Sequence, residues 1–71
     1  MKVLVMVERA AANWSAYAPD VPGCVATGAT REEALANMRG ALDLHLRGMR
    51  EDGEPLPEAV TSAELVEVPA A

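Results

Sequence analysis

The 71-residue sequence has no Phe, one Trp and one Tyr, so aromatics amount to 3% of the chain. A core of stacked rings is excluded, and burial has to come from Val, Leu, Met and Ala, with Trp14 and Tyr17 the only large rings. Cysteine occurs once, at Cys24. No internal disulfide can form, and nothing ties the chain to an oxidising compartment. Basic residues are few as well: Lys+Arg 6 stand against Asp+Glu 11, for a formal net charge of -5. Nucleic-acid affinity rests on clustered Lys and Arg that neutralise phosphates, so duplex binding is disfavoured and a basic partner is favoured. The longest apolar stretch, Val3 to Val7, is far short of a membrane span or a signal-peptide core. These absences together predict a soluble, reduced, cytoplasmic chain that engages neither membrane nor nucleic acid directly.

What is present is globular. Hydrophobic residues make up 51% and charged residues 24% of the chain, which is too apolar for a disordered one. The length holds one small domain, residues 1–71, and excludes a large enzyme. A folded chain of this size hides only roughly 60% of the surface its unfolded form exposes, so a lone monomer is marginal and self-association is expected.

Lys2 to Arg9 is β-branched and apolar and reads as a strand with apolar residues on both faces. Asn13 to Ala18 reads as a second strand, with Trp14, Ala16 and Ala18 on one side and Ser15 and Tyr17 on the other. Pro19-Asp20-Val21-Pro22-Gly23 is dense in turn chemistry, and Cys24 to Thr27 returns as a third strand stopped by Gly28. Thr30-Arg31-Glu32-Glu33 has capping-box spacing, which places a helix start at Thr30. Leu35, Met38, Leu42, Leu46 and Met49 then form an apolar stripe, while Arg39, Asp43, Arg47 and Glu51 alternate in sign on the exposed side. Gly53, Pro55 and Pro57 stop the helix. Glu64 to Val68 predicts a last strand before Pro69. The expected fold is α+β: a small antiparallel or mixed sheet of about four strands with one main helix, in the order β-β-β-α-β.

One helix shields one face of such a sheet and leaves the other needing a partner. Leu44 lies about half a turn from the apolar stripe, between Gly40 and Gly48. It is either an interface residue approached closely by another chain or a solitary surface hydrophobe.

Little in the sequence points to catalysis. Cys24 and His45 stand alone, without the clustered ligands that zinc requires, and a Cys24/His45 nucleophilic pair lacks a third, orienting group. Gly23 and Gly28 form no phosphate loop. The carboxylates are scattered: Glu32, Glu33, Asp43 and Glu51 have structural roles, and Asp20 between two prolines is a turn-maker. No catalytic residue, metal or cofactor is expected, and the chain is read as a non-enzyme.

Tyr17-Ala18-Pro19-Asp20-Val21-Pro22-Gly23-Cys24, then Gly28 two residues before Thr30, then Glu33-Ala34 at the helix start, resembles the signature of the HicB-like antitoxin family. Ala41 to Leu46, followed by Gly53-Glu54-Pro55-Leu56-Pro57, resembles the same family's helix end and Gly-x-Pro-x-Pro exit. The similarity covers residues 1–68. Ala29 departs from the pattern, because an Asp is frequent before the capping Thr. The resemblance implies a partial ribonuclease H fold and an antitoxin that binds and silences a small basic mRNA-cleaving toxin of the HicA type. Such toxins resemble double-stranded-RNA-binding domains. The sequence stops soon after the predicted last strand, where many relatives carry a DNA-binding module, so a short form is expected, with no operator binding of its own.

The expected mechanism is occlusion of the toxin's RNA-binding face. Trp14 and Tyr17 are candidate anchors or, equally, core fillers; Glu8 and Asp20 are candidate charge partners, and Leu44 a candidate contact. A homodimer or higher homo-oligomer is also expected. The alternative function is an orphan oligomeric adaptor without a toxin. A ribonuclease H-like enzyme follows from fold analogy alone.

Overall fold

The computed structural model describes residues 1–70. Three short strands precede one long helix: β1 (Met6–Arg9), β2 (Trp14–Tyr17), β3 (Val25–Gly28) and α1 (Arg31–Glu51). The strands form an antiparallel sheet in the order β1-β2-β3. Val7 and Ala26 both lie opposite Ala16, while Met6 and Val25 both lie opposite Tyr17. Side chains alternate across a strand, so this register sorts the sheet into two faces. Val7, Ala16 and Ala26 face α1. Met6, Tyr17 and Val25 face away from it.

The core consists of Ala16, Ala18, Val21, Cys24, Ala34, Met38 and Leu42. Small residues on both sides let α1 lie close to the sheet, and Met38 and Val21 are the largest fully buried side chains. The helix packs mainly over β3 and β2 and touches β1 least. Its buried line therefore runs through Ala34, Met38 and Leu42, whereas Leu35, Leu46 and Met49 of the expected stripe are only half-buried. The loop between β2 and β3 is closed by Val21 N–H donating to Ala18 C=O at 3.1 Å and Cys24 N–H donating to Val21 C=O at 3.3 Å. Gly23 supplies the positive φ of 84° that this loop needs.

Thr30 caps α1. Its backbone is extended, at φ -127° and ψ 164°, and its hydroxyl accepts from the Glu33 amide at 3.1 Å. The reciprocal half of the box differs from expectation by one residue. Glu33 Oε1 accepts from the Ala29 amide at 3.1 Å, not from Thr30, satisfying the first donor left over after β3 ends. Thr30→Ala is expected to cost about 1 kcal/mol in chemical denaturation, the usual worth of a side-chain cap; a shift below a few tenths would contradict it. Of the alternating charges, Asp43 and Arg47 pair at 2.7 Å. Both are well exposed, so the pair adds only a few tenths of a kcal/mol. The helix ends where Gly53 turns left-handed at φ 72°, and Glu54 N–H donates to Met49 C=O at 2.9 Å.

The expected fourth strand is absent among the described residues. Glu64 to Val68 pairs with no neighbour, and Leu65, Val66 and Val68 are exposed. The reason is where the chain is held. Thr61 N–H donates to Asp20 Oδ2 at 3.2 Å and its hydroxyl donates to Oδ1 at 2.6 Å, after which no hydrogen bond holds residues 62–70 to the body. Strand propensity describes fit to a half-buried pleated surface, and without a partner edge that surface does not exist. The chain accordingly spans 51 × 28 × 16 Å.

Candidate functional site

Because α1 covers one face of the sheet, the other is bare. The register builds it in two rows: Met6, Tyr17 and Val25 lie side by side as an apolar row, and Glu8, Ser15 and Thr27 as a polar one. Neighbours across antiparallel strands sit within roughly 5.5 Å, so each row is a continuous stripe across the three strands. Val25 is 67% exposed, and Glu8 is the one charged side chain in the two rows.

At the β3 edge this face meets a shallow groove of about 300 Å³ lined by Cys24, Val25, Ala41, Leu44 and His45. Leu44, 72% exposed, and Val25 project beside it. The apolar surface thus runs from Met6 through Tyr17 and Val25 to Leu44. Gly40 and Gly48 border open space, with nothing within 4 Å of where a Cβ would stand.

The structure divides the five candidate site residues among three places. Glu8 and Tyr17 share the bare face, and Leu44 adjoins it across the β3 edge. Trp14 lies on the opposite side, half-buried against the core. Asp20 spends both carboxylate oxygens on Thr61. Met6 and Val25 were not singled out from sequence; their signal was the period-two alternation of their strands, which acquires meaning only with the register.

Burial pushes the Cys24 thiol above its ordinary value, which disfavours the thiolate, the reverse of an activated nucleophile. Among the described residues no three His, Cys, Asp or Glu side chains converge as a metal-holding group. No helix among them is long and apolar enough to cross a membrane.

Comparison with known proteins agrees with the resemblance carried by the Pro-Asp turn and the capped helix. The family model for the HicB-like antitoxin of bacterial toxin-antitoxin systems matches residues 3–70. The chain is 38% identical over 71 residues to Antitoxin HicB 2 of Photorhabdus laumondii, covering 99% of this chain and 51% of that protein. It is also 38% identical over 55 residues, 78% of this chain and 41% of the other, to an uncharacterized 14.9 kDa protein encoded in the rep-hol intergenic region of Haemophilus phage HP1. The chain therefore spans about half the length of these relatives. No solved structure matches it. With a family match that takes in the whole sheet, the helix and the segment beyond it, the chain belongs to the HicB-like antitoxin family of bacterial toxin-antitoxin systems.

Proposed function

We propose that this chain binds a small, basic, mRNA-cleaving toxin of the HicA kind and neutralises it by covering the toxin's RNA-binding surface. The observation that carries this reading is the bare sheet face: a continuous apolar stripe of Met6, Tyr17 and Val25, beside Glu8, on a domain of net charge -5. Apolar area supplies affinity once desolvated, and overall negative charge steers a cationic partner and speeds its approach. A toxin surface shaped to hold phosphates is rich in Lys and Arg, so an acidic domain competes with RNA for the same groups. No bond is made or broken by the antitoxin in this scheme; inhibition is exclusion.

Tyr17 and Val25 are the proposed centre of the contact, with Glu8 and Leu44 at its rim. Trp14 and Asp20 support the fold behind it. We read the β-β-β-α body as the partial ribonuclease H arrangement, serving here as a scaffold.

The test is RNA cleavage by a purified basic toxin of the HicA kind, with the chain added in equimolar amount. Cleavage is expected to stop. Val25→Lys places a like charge against the toxin at an exposed position and is expected to weaken inhibition at least about tenfold, equivalent to 1.4 kcal/mol, with an unchanged melting curve. Full cleavage in the presence of excess folded chain sinks the proposal and favours the orphan adaptor.

A further inference from the structure

We propose that Asp20 and Thr61 are positioning residues for the toxin contact: their clasp holds the loop between β2 and β3 in the shape that sets Tyr17 and Val25 side by side. The role rests on the bare face being that contact, and neither residue belongs to the face itself.

The loop from Ala18 to Cys24 joins the two residues at the centre of the proposed contact, because Tyr17 ends β2, Val25 begins β3 and the two lie opposite each other. Whatever shapes the loop shapes that pair. On its inner side the loop is fixed by burial of Ala18, Val21 and Cys24 in the core and by the hydrogen bonds of the Val21 and Cys24 amides. Its outer side carries Pro19, Pro22 and Gly23, all exposed. There the Asp20 carboxylate makes the loop's one side-chain link to another part of the described chain, and the link is to Thr61.

Thr61 gives Asp20 both of its donors. The backbone N–H reaches Oδ2 at 3.2 Å and the hydroxyl reaches Oδ1 at 2.6 Å, so each carboxylate oxygen has its own partner. Hydrogen bonds to an ionised acceptor are among the stronger ones. The match is particular to residue type at both ends: Ser or Thr presents a backbone and a short side-chain donor together, whereas an Asn at position 20 would turn its own N–H donors toward one of them.

The segment that delivers Thr61 has no other polar fastening. Among the described residues, no further hydrogen bond joins the chain beyond Glu54 to the body. Pro55 and Pro57 restrict the backbone there, which lowers the entropy lost on holding it in one course. Pro57 to Ala59 lie against Met1 to Val3 and Val21, with about 10 Å³ of free space left among them. Thr61 therefore meets the loop from a defined direction. Through this clasp, chain 41 positions further on is tied to the loop that carries the toxin face.

Amide hydrogen exchange, read residue by residue on the chain without toxin, is the first arm of the test. Thr61→Val keeps the backbone donor and removes the hydroxyl; it is expected to speed exchange of the Val21 and Cys24 amides by a few-fold to about tenfold, the span of one net hydrogen bond, with the centre of β2 unchanged. Asp20→Asn is expected to do the same, and Thr61→Ser, which restores both donors, to return the parent rates. The second arm is inhibition of RNA cleavage by a purified basic toxin of the HicA kind. Thr61→Val is expected to weaken inhibition by a similar factor, and Thr61→Ser to restore it. Unchanged exchange in Thr61→Val overturns the clasp, and fast exchange with undiminished inhibition overturns the positioning role. Loss of the far-UV circular dichroism of Thr61→Val also overturns it, because the contact would then hold the whole domain and not one loop. A parent chain that leaves cleavage untouched overturns the toxin reading and this role with it, so the parent alone tells the two failures apart.

Discussion

Gly28→Ala is expected to abolish the fold. A Cβ at position 28 would stand 2.4 Å from the Ala34 amide nitrogen, 2.8 Å from the Glu33 carbonyl carbon and 2.9 Å from the Ala34 Cα. All three are backbone atoms in the first turn of α1, so no side chain can rotate aside. Either the helix lifts from β3 or its capped start is broken. Overpacking a core by one methyl costs typically about 1–3 kcal/mol, and more where the obstacle is backbone. A single-core domain of this size holds only about 3–5 kcal/mol in total. Urea denaturation followed by circular dichroism is expected to show no folded baseline; a cooperative transition shifted by less than about 1 kcal/mol would refute the steric account.

Met38→Ala is expected to cost about 2–5 kcal/mol, the range for emptying a buried Leu, Ile or Met site. Met38 is 1% exposed and is the largest fully buried side chain. Its neighbours in the core include Ala16, Ala18 and Ala34, which have no atoms beyond Cβ with which to fill the space. The cavity therefore persists, and the cost belongs in the upper part of the range. Met38→Leu conserves volume and is expected to stay within about 1.5 kcal/mol of the parent. Equal loss in both variants would show that something other than volume is being measured.

Both expectations turn on the separation between α1 and the sheet, and that separation also positions the bare face. The helix lies close because Gly28, Ala16 and Ala34 allow it, and it lies over β3 and β2, not centrally. The outward row of Met6, Tyr17 and Val25 is held from behind by this packing. On the proposed function, a variant that loosens the core is thus expected to lose inhibition of the toxin along with stability, whereas Val25→Lys separates the two.

Local features were legible in the sequence because their causes are local. Thr30 three residues before Glu33 marked the helix start, and Gly53 before two prolines marked its end, since capping and left-handed turns involve only neighbours along the chain. The three strands were legible from β-branched and alternating stretches between turn residues; the first began four residues later than expected, the second was shorter by one residue at each end, and the third was shifted by one residue to take in Gly28. Their faces followed from parity. Trp14 and Tyr17 were expected on opposite sides of one strand, and the register places Tyr17 outward and Trp14 toward the core. The family signature was legible for the same reason: its turn, cap and exit are short motifs at defined spacing.

Long-range relations were not legible. Gly28 read as a strand stop, and its approach to the backbone of Ala34 came from packing. The Asp20 carboxylate finds Thr61 across 41 positions of sequence, a pairing that no periodicity encodes. Glu64 to Val68 carries the residues of a strand, and whether it becomes one depends on which edge it meets.

The sequence by itself determined the acidic charge, the order of the first four elements, the capped helix and membership of the antitoxin family, because each is written in composition or in residues a few positions apart. Tertiary structure alone decided that the helix leans toward β3, that the first strand keeps an open edge and that the chain beyond Thr61 leaves the body. Those outcomes depend on how surfaces far apart in sequence compete for burial and for backbone hydrogen bonds, and that competition is settled only when the whole chain has folded.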